Sequence, residues 1–272
     1  MKNQRSTTLT IFIGSLLWLL LLLHPSQIRA QETEDEREFD YAQGGEKGPG
    51  RWGEMKKEWA ACKNGELQSP IDMSNERVEI IRGPEKLKRN YKPCNATVQW
   101  TGDAGSIQIN GTEYPLRQAH WHSPSEHSIN GRRYDMELHM VHLNTDLNLK
   151  NKIAVIAVLY KIGRPNPFLS KLARNITSMM DKKGEQTIAG VIDPREIKMS
   201  GKRFYRYMGS LTVPPCTEGV IWTISKKVRT VSSDQLHLLR EAVHDYAERN
   251  ARPLQPLHQR DIQLYGPKDT TD

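Results

Sequence analysis

Gln118-Ala119-His120-Trp121-His122 and Glu137-Leu138-His139-Met140-Val141 are the two stretches that decide the fold. Successive side chains of a β-strand alternate between its faces, so His120 and His122 point to the same side of one strand. His139 follows seventeen residues after His122, on a second strand-like run. If the two strands are neighbours, the three imidazoles converge on one point. Three such nitrogens bind zinc in catalytic sites that leave a fourth position open to water, so the sequence predicts a Zn²⁺ centre.

Two polar residues support the metal interpretation. An imidazole that binds a metal usually has a hydrogen-bond partner on its second ring nitrogen. Gln118 lies two residues before His120, and Glu137 lies two residues before His139, each on the face of its histidine. A His-x-His pair alone is weak evidence, because surface histidines often pair by chance, but partners at matched offsets favour a metal site. For His127 and His142 we expect structural or hydrogen-bonding roles instead.

The sequence around the histidines predicts a mainly β protein. Asn110-Gly111 is a strong two-residue hairpin signal, and Asn130-Gly131 is a similar turn between the two histidine stretches. The run from Ile153 to Tyr160 is apolar on both faces, which is typical of a strand deep in a sheet. We expect a large, twisted, mostly antiparallel central sheet with a few peripheral helices. The predicted strands are Val78–Ile81, Ser106–Ile109, Thr112–Leu116, Gln118–His122, Asp135–Leu143 and Ile153–Ile162.

Two helices are predicted at the periphery. One opens at Asn166-Pro167 and carries apolar residues at helical spacing as far as Met180. The other starts at Ser232-Ser233 and ends before Asn250. Residues 39–59, rich in glycine, lysine and aromatic side chains, are expected to form an irregular arm pinned by its rings against a larger body.

Length and composition place the chain in one globular domain. It has 272 residues, of which 37% are hydrophobic and 26% charged, and β-rich domains reach this size without dividing. The formal net charge of +7 is spread along the chain without a basic stripe interleaved with aromatics, which argues against nucleic-acid binding. We expect a signal peptide at 1–30, a flexible acidic lead-in at 31–38, a single domain at 39–267 and a flexible tail at 268–272.

The N-terminal segment predicts entry into the secretory pathway. Lys2 and Arg5 precede an apolar run from Ile11 to Leu23, and Ala30 offers a small residue for cleavage. Thirteen apolar residues are too few to cross a bilayer core of about 30 Å, so no stable membrane anchor is expected. Secretion is the first interpretation, and a plastid stroma reached through the secretory route is the alternative.

Cysteines and sequons agree with an oxidising compartment. A secreted chain tends to pair its cysteines, and with three of them, at 62, 94 and 216, one must remain unpaired. Three Asn-x-Thr sequons offer candidate glycosylation sites at Asn95, Asn110 and Asn175.

Several motifs in one order resemble the α-class carbonic anhydrases, particularly their secreted plant members. The resemblance spans nearly all of the chain after the predicted signal peptide. The Gln-x-His-x-His and Glu-Leu-His-x-Val-His stretches carry it, together with Gly48-Pro49 and Trp52-Gly53 in the N-terminal arm. It continues in Gln68-Ser69-Pro70-Ile71-Asp72, in the loop from Gly209 to Glu218 and in Asn250-Ala251-Arg252-Pro253.

The resemblance implies a function and a role for particular residues. It implies reversible hydration of CO₂ to bicarbonate by a zinc-bound hydroxide, with His120, His122 and His139 on the metal. Thr212 would accept a hydrogen bond from this hydroxide while donating one to Glu126. A bond between Cys62 and Cys216 is also implied, which would leave Cys94 unpaired. The implied apolar substrate pocket consists of Val141, Val155, Leu211, Val220 and Trp222.

One departure from the family concerns the proton that each turnover releases. Fast members pass it to a histidine in an Asn-x-Gly-His segment, whereas this chain has no histidine between Cys94 and His120. About one strand's worth of residues, roughly five to ten, is missing near Val98–Trp100. We therefore expect no proton shuttle and a turnover that depends on external buffer. The alternative is a catalytically weak or silent relative that serves in storage or binding. No partner other than the small-molecule substrate is predicted, and the oligomeric state stays open.

Overall fold

A ten-stranded mixed sheet forms the centre of the computed structural model. The structure describes residues 38–74, 77–82, 88–91, 94–95, 103–178, 191–197, 202–242 and 249–266, all within the compact unit Glu32–Asp272. The strands of this sheet are β2 (Val78–Arg82), β3 (Lys88–Tyr91), β5 (Gly105–Ile109), β6 (Thr112–His122), β9 (Met136–Leu143), β10 (Ile153–Ile162), β12 (Phe204–Ser210), β13 (Glu218–Ser225), β14 (Arg229–Val231) and β15 (Ile262–Gly266).

The strand order confirms the predicted large and mostly antiparallel sheet. It runs β2-β15-β12-β13-β10-β9-β6-β5-β3, with β14 beside β10. Three pairs are parallel, namely β2 with β15, β13 with β10 and β14 with β10, and the other pairs are antiparallel. Short strands lie outside this sheet: β1 (Asp72–Met73), β4 (Cys94–Asn95), β7 (Ser128–Ile129), β8 (Arg132–Arg133) and β11 (Val191–Ile192).

Strands β6 and β9 are direct antiparallel neighbours, with His120 opposite His139. The structure differs from the sequence prediction in joining Thr112–Leu116 and Gln118–His122 into the single strand β6. A register shift between Leu116 and Gln118 separates the two halves, because one extra residue is accommodated there as a bulge.

Both predicted turns are present. Asn110 and Gly111 have positive φ values of 47° and 81° and join β5 to β6, as a two-residue hairpin requires. Asn130 and Gly131, with φ of 51° and 72°, join β7 to β8. This short hairpin lies within the connection from β6 to β9, so the turn does not link the two histidine strands directly.

Two longer helices pack on the sheet where the sequence predicted them. α3 (Pro167–Thr177) begins after Asn166, whose side chain accepts a hydrogen bond from the Leu169 N–H. α4 (Ser233–Glu241) begins with a capping box formed by Ser232 and Gln235. The two helix starts are joined, because the Asn166 N–H donates to Oε1 of Gln235 (2.7 Å) and Nε2 of Gln235 donates to the Asn166 carbonyl (2.9 Å).

The two faces of the sheet differ in chemistry. Alternate residues of β9 and β10 form an apolar core with α3 and α4, and Trp121 of β6 packs against the same core. The opposite face carries Glu137, His139 and Val141 from β9, all fully buried. Representative members of the apolar core are Met136, Leu138, Met140, Ile156, Val158, Phe168, Leu172 and Leu236.

The N-terminal arm is pinned by its aromatic rings, as expected. It contains α1 (Trp52–Met55), a 3-10 turn (Lys57–Trp59) and α2 (Ala61–Asn64). Phe39 packs edge-on against Trp52, with ring centroids 5.2 Å apart, and against Trp59 at 6.1 Å. These rings share a buried cluster with Val213 and Cys216 of the main body. A disulfide bond joins Cys62 of α2 to Cys216, which pairs the cysteines that the resemblance implied.

Several predicted features lie outside the described residues. These are the segment near Val98–Trp100, the predicted signal peptide and C-terminal tail, and residues 31–37 of the predicted lead-in. The ends of both helix predictions, at Met179-Met180 and at Val243 to Tyr246, also lie there. Within the described part of the chain, every helix is too short or too polar to traverse a lipid bilayer.

Candidate metal centre

The three histidines of the opening stretches meet on the polar face of the sheet. His120, His122 and His139 can each turn one ring nitrogen inward, and these nitrogens lie within 4.8 Å of one another. Their ring centroids are 4.6 to 5.2 Å apart. The arrangement follows from the register, because His120 and His139 are directly opposite and His122 is one pleat further along β6.

Each of the three imidazoles is oriented by a hydrogen bond on its outer nitrogen. His120 bonds through Nδ1 to Oε1 of Gln118 (3.2 Å), and His139 through Nε2 to Oε1 of Glu137 (2.8 Å). His122 bonds through Nδ1 to the main-chain carbonyl of Asn250 (2.7 Å). Because carbonyl and carboxylate oxygens only accept, each outer nitrogen carries the proton. Nε2 of His120, Nε2 of His122 and Nδ1 of His139 are then the ligand atoms offered to a metal.

Asn250 is a partner that the sequence analysis missed. Its side chain makes two hydrogen bonds to the main chain at the end of β6: Oδ1 accepts from the Ser123 N–H (2.9 Å), and Nδ2 donates to the Trp121 carbonyl (3.1 Å). These two hydrogen bonds place the Asn250 carbonyl beside His122. A carbonyl leaves no side-chain signal in a sequence, and the segment Asn250 to Pro253 stands out there only by its resemblance to a family motif.

A second group of possible ligands overlaps the first. His127, Glu137 and His139 also have ligand atoms within 4.8 Å of one another. Glu137, however, already accepts three hydrogen bonds, from the His127 N–H (2.8 Å), from Nδ1 of His127 (2.6 Å) and from Nε2 of His139. Burial raises the pKa of Glu137, but His127 and His139 outweigh it and bring the pKa well below its usual range. This group is an internal hydrogen-bond network that orients His139.

His142 lies on the other side of β9, as its position in the strand predicts. Its Nδ1 donates to the Ala154 carbonyl (3.2 Å), and burial lowers the pKa of the imidazole to about 3. It is therefore a neutral core residue, which agrees with the structural role expected for it.

Glu126 lies beside the centre. Oε2 of Glu126 is 3.7 Å from Nε2 of His122, and Oε1 accepts from the Arg252 N–H at 2.9 Å. Burial raises the pKa of Glu126 to about 8, opposed by His139, Thr212 and the Arg252 N–H. Within the described ranges, neither Oε2 of Glu126 nor the hydroxyl of Thr212 has a partner at ordinary hydrogen-bond geometry, yet Thr212 is close enough to lower this pKa.

Main-chain hydrogen bonds hold the loop that carries Thr212 at both of its ends. The Leu211 N–H donates to the Thr217 carbonyl (2.9 Å), and the Cys216 N–H donates to the Val213 carbonyl (2.7 Å). The disulfide to Cys62 adds a covalent link to the arm. Thr212 itself is fully buried.

Arg252 is a second residue that the sequence analysis left without a role. Besides its main-chain bond to Glu126, its buried guanidinium donates to Oε1 of Gln68 (2.9 Å) and to the carbonyls of Ser69 (2.7 Å) and Cys62 (2.9 Å). One residue thus joins the arm, the disulfide and the carboxylate beside the centre.

Apolar side chains surround the polar atoms. Val141, Val155 and Trp222 face one another across β9, β10 and β13, on the histidine side of the sheet. Each of the five residues predicted to form the substrate pocket is at most 2% exposed; they are Val141, Val155, Leu211, Val220 and Trp222.

The donor set fits a metal cation. Three imidazoles converge, each with its outer nitrogen engaged and its inner nitrogen buried, and a carboxylate lies close by. Three histidine ligands with space for a fourth ligand are typical of catalytic zinc, whereas structural zinc sites are closed by four protein ligands.

Comparisons with known proteins agree with this geometry. The model of eukaryotic-type carbonic anhydrases matches residues 47–266. Carbonic anhydrase Nec1 of Nesocodon mauritianus is 54% identical over 95% of this chain and 96% of its own length. Alpha carbonic anhydrase 7 of Arabidopsis thaliana is 50% identical over 98% of this chain and 99% of its own length. A crystal structure of dioscorin complexed with ascorbate superposes with a TM-score of 0.81 at 41% identity, covering 86% of this chain and all of the other. The chain belongs to the eukaryotic-type carbonic anhydrase family.

Proposed function

We propose that the protein catalyses zinc-dependent, reversible hydration of CO₂ to bicarbonate and a proton. The observation that carries the proposal is the convergence of His120, His122 and His139 with every outer ring nitrogen hydrogen-bonded. A zinc ion held by these three histidines would supply a hydroxide nucleophile at neutral pH, because zinc lowers the pKa of a bound water to about 7 in carbonic anhydrases.

Glu126 and Thr212 are proposed to orient the nucleophile. The Arg252 N–H fixes the Glu126 carboxylate, and the loop bonds around Thr212 fix its hydroxyl nearby. A cation among the histidines favours the charged form of the carboxylate, since opposite charges lower a carboxyl pKa. Glu126 then accepts a hydrogen bond from the Thr212 hydroxyl, which leaves the oxygen of that hydroxyl to accept a hydrogen bond from the attacking oxygen and so to select one of its lone-pair directions.

The apolar residues beside the histidines are proposed to receive CO₂. Val141, Val155 and Trp222 offer no hydrogen bonds from their aliphatic and ring surfaces, so an uncharged, linear molecule loses little solvation there. Leu211 directly precedes Thr212, and Val220 lies on the same face of β13 as Trp222, so we assign both buried side chains to the same pocket.

The direct test is CO₂ hydration by the secreted full-length protein, followed by stopped-flow spectroscopy, with zinc determined on the same sample. We expect one zinc per chain and hydration that an arylsulfonamide abolishes, because the sulfonamide nitrogen competes for the open metal position. One zinc per chain without sulfonamide-sensitive hydration would refute the enzyme proposal.

Proton release is proposed to depend on external buffer, because no histidine lies between Cys94 and His120. Hydration rates at fixed pH and ionic strength should rise with the concentration of an imidazole-type buffer and level off only at high concentration. Rates that do not change with buffer concentration would remove this part of the proposal.

A catalytically weak or silent binding protein is the second candidate. Dioscorin, whose crystal structure is similar to this chain, was solved with ascorbate. Intact histidine ligands together with Glu126 and Thr212 favour the enzyme. Zinc binding without hydration in the test above would favour the binding protein.

A secretory route is proposed for the same chain. The disulfide between Cys62 and Cys216 and the plant relatives fit an oxidising compartment. Cleavage near Ala30 and glycans on Asn95, Asn110 or Asn175 stay predictions, which mass spectrometry of the secreted protein would check. Asn110 is exposed at its turn, as an accessible acceptor must be.

A further inference from the structure

A chain of buried polar side chains lies behind the proposed metal centre. Glu137 accepts from Nδ1 of His127 (2.6 Å), and Nε2 of His127 is 2.7 Å from the hydroxyl of Tyr207. That hydroxyl is 2.7 Å from Oγ of Ser69, which in turn accepts from the Ser210 N–H (3.0 Å). None of these side chains is more than 2% exposed. The mechanism proposed above uses Glu137 but not Ser69, His127 or Tyr207.

The hydrogen bonds in this chain can run in one direction only. His127 must donate from Nδ1, because the Glu137 carboxylate is an acceptor. If Nε2 also donated, Tyr207 would donate to Ser69, and the Ser69 proton would have no acceptor among the described residues. In the opposite direction every group is satisfied: Ser69 donates to Tyr207, Tyr207 donates to Nε2 of His127, and His127 donates to Glu137. Burial also raises the pKa of Tyr207 well above its usual range, so its hydroxyl stays protonated.

Close packing keeps the members of the chain in place. A Cβ on Gly209 would lie 2.2 Å from Oγ of Ser69 and 2.7 Å from the Tyr207 ring, so glycine is needed for Ser69 to reach Tyr207. Trp222 stacks on Tyr207, and its ring centroid is 4.8 Å from that of His127 and 4.8 Å from that of His139. The indole thereby excludes water from the chain along one side.

We propose that Tyr207 and Ser69 are positioning residues for the metal centre. They hold His127 in the single tautomer that donates to Glu137 from Nδ1, and this fixes the carboxylate oxygen to which His139 donates. Ser69 belongs to the Gln68-Ser69-Pro70 motif, so the motif acquires a role at the metal site. The inference rests on the proposed function for its catalytic consequence, but the hydrogen-bond chain itself exists without a metal.

The test compares two tyrosine variants of the full-length protein. Tyr207→Phe removes the hydroxyl that bonds to His127. Tyr205→Phe is the matched control, because Tyr205 lies two residues earlier on the same strand, is fully buried, and has a hydroxyl without a hydrogen-bond partner within the described ranges. The first readout is the NMR spectrum of metal-free protein, in which the nitrogen-15 signals of the imidazole rings and the signals of their ring N–H protons are observed. The second is the rate at which zinc passes to a chelator.

We expect Tyr207→Phe to shift or broaden the ring N–H signals of His127 and His139 and to speed zinc release about 10-fold. Loss of a residue that hydrogen-bonds to a metal ligand typically weakens metal affinity about 10- to 100-fold, and this expectation is the lower end of that range. Tyr205→Phe should leave both readouts at the wild-type values. Unchanged ring N–H signals of both histidines and unchanged zinc release in Tyr207→Phe would overturn the proposal.

Ser69→Ala provides a second route if Tyr207→Phe does not fold. It should produce the same change in the His127 signals with a smaller effect on zinc release, and unchanged signals would again overturn the proposal. Wild-type protein that binds no zinc would instead refute the proposed function, while the imidazole spectra would still test the hydrogen-bond chain.

Discussion

The two faces of the central sheet are built from alternate residues of the same strands, yet they have opposite chemistry. On β9, Met136, Leu138 and Met140 join the apolar core under the helices, whereas Glu137 and His139 belong to the polar centre. The two sets are interleaved residue by residue. Stability and chemistry are therefore encoded at alternating positions of one strand.

The comparison shows under which condition a buried polar group is tolerated on either face. Glu137 and His127 are fully buried, but each is hydrogen-bonded to a partner placed by a neighbouring element. On the apolar face the histidine of β9, His142, is neutral and donates to the Ala154 carbonyl. A buried polar group costs little only where its partners are also fixed.

Removing the disulfide should have the largest effect on stability. The Cys62→Ser, Cys216→Ser double variant loses a bond across a sequence separation of 154 residues, which costs about 3–5 kcal/mol of unfolding free energy in the loop-entropy model. Because the proposed ligands lie in β6 and β9, zinc content should stay at the wild-type value. Chemical denaturation and metal analysis check both statements, and loss of zinc in a folded variant would show that the two regions are not separable in this way.

Truncation on the apolar face should lower stability without affecting the metal. Met140→Ala removes a fully buried side chain next to His139 in sequence but on the opposite face, and should cost about 2–5 kcal/mol. Leu147→Ala is the control, since Leu147 is 76% exposed and its loss should change little. Denaturant unfolding of the metal-free proteins measures the cost. An unfolding free energy of Met140→Ala equal to that of wild type would contradict the assignment of this face as the core.

The pH dependence of stability gives an effect that is smaller for each pH unit and has a defined sign. The pKa of His142 falls from an unfolded value near 6.5 to about 3, so the unfolded chain binds one more proton between these values. Stability should therefore decrease as the pH falls from about 6.5 towards 3, by up to about 1.4 kcal/mol per pH unit from this group. His142→Gln should flatten that slope, and His237→Gln, at an exposed histidine, should not. Equal slopes in all three proteins would disprove a neutral, buried His142.

The sequence predicted most of the sheet because its signals are local. The alternation in β6 and β9, the apolar run of β10 and the turns at Asn110 and Asn130 each act within a few residues. The bulge between Leu116 and Gln118 was missed, since a register shift depends on the partner strand rather than on the residues that carry it. The parallel pairing of β10 with β13 likewise depends on elements far apart in the chain.

Side-chain contacts of the candidate site follow from the sequence, whereas its main-chain contacts do not. Gln118 and Glu137 lie at the expected offsets and contact the expected histidines. The Asn250 carbonyl and the Arg252 N–H leave no trace in the residue type, and both approach from more than a hundred residues away. Their segment was found only as a family motif.

The most direct test of the two-face account compares two histidines three residues apart on β9. Zinc per chain and CO₂ hydration are measured for His139→Ala and His142→Ala after both are shown to be folded by circular dichroism. We predict that His139→Ala loses zinc and hydration together, while His142→Ala binds one zinc per chain, retains hydration and is less stable. Stoichiometric zinc binding in His139→Ala, or equal loss of zinc in a folded His142→Ala protein, would contradict the account.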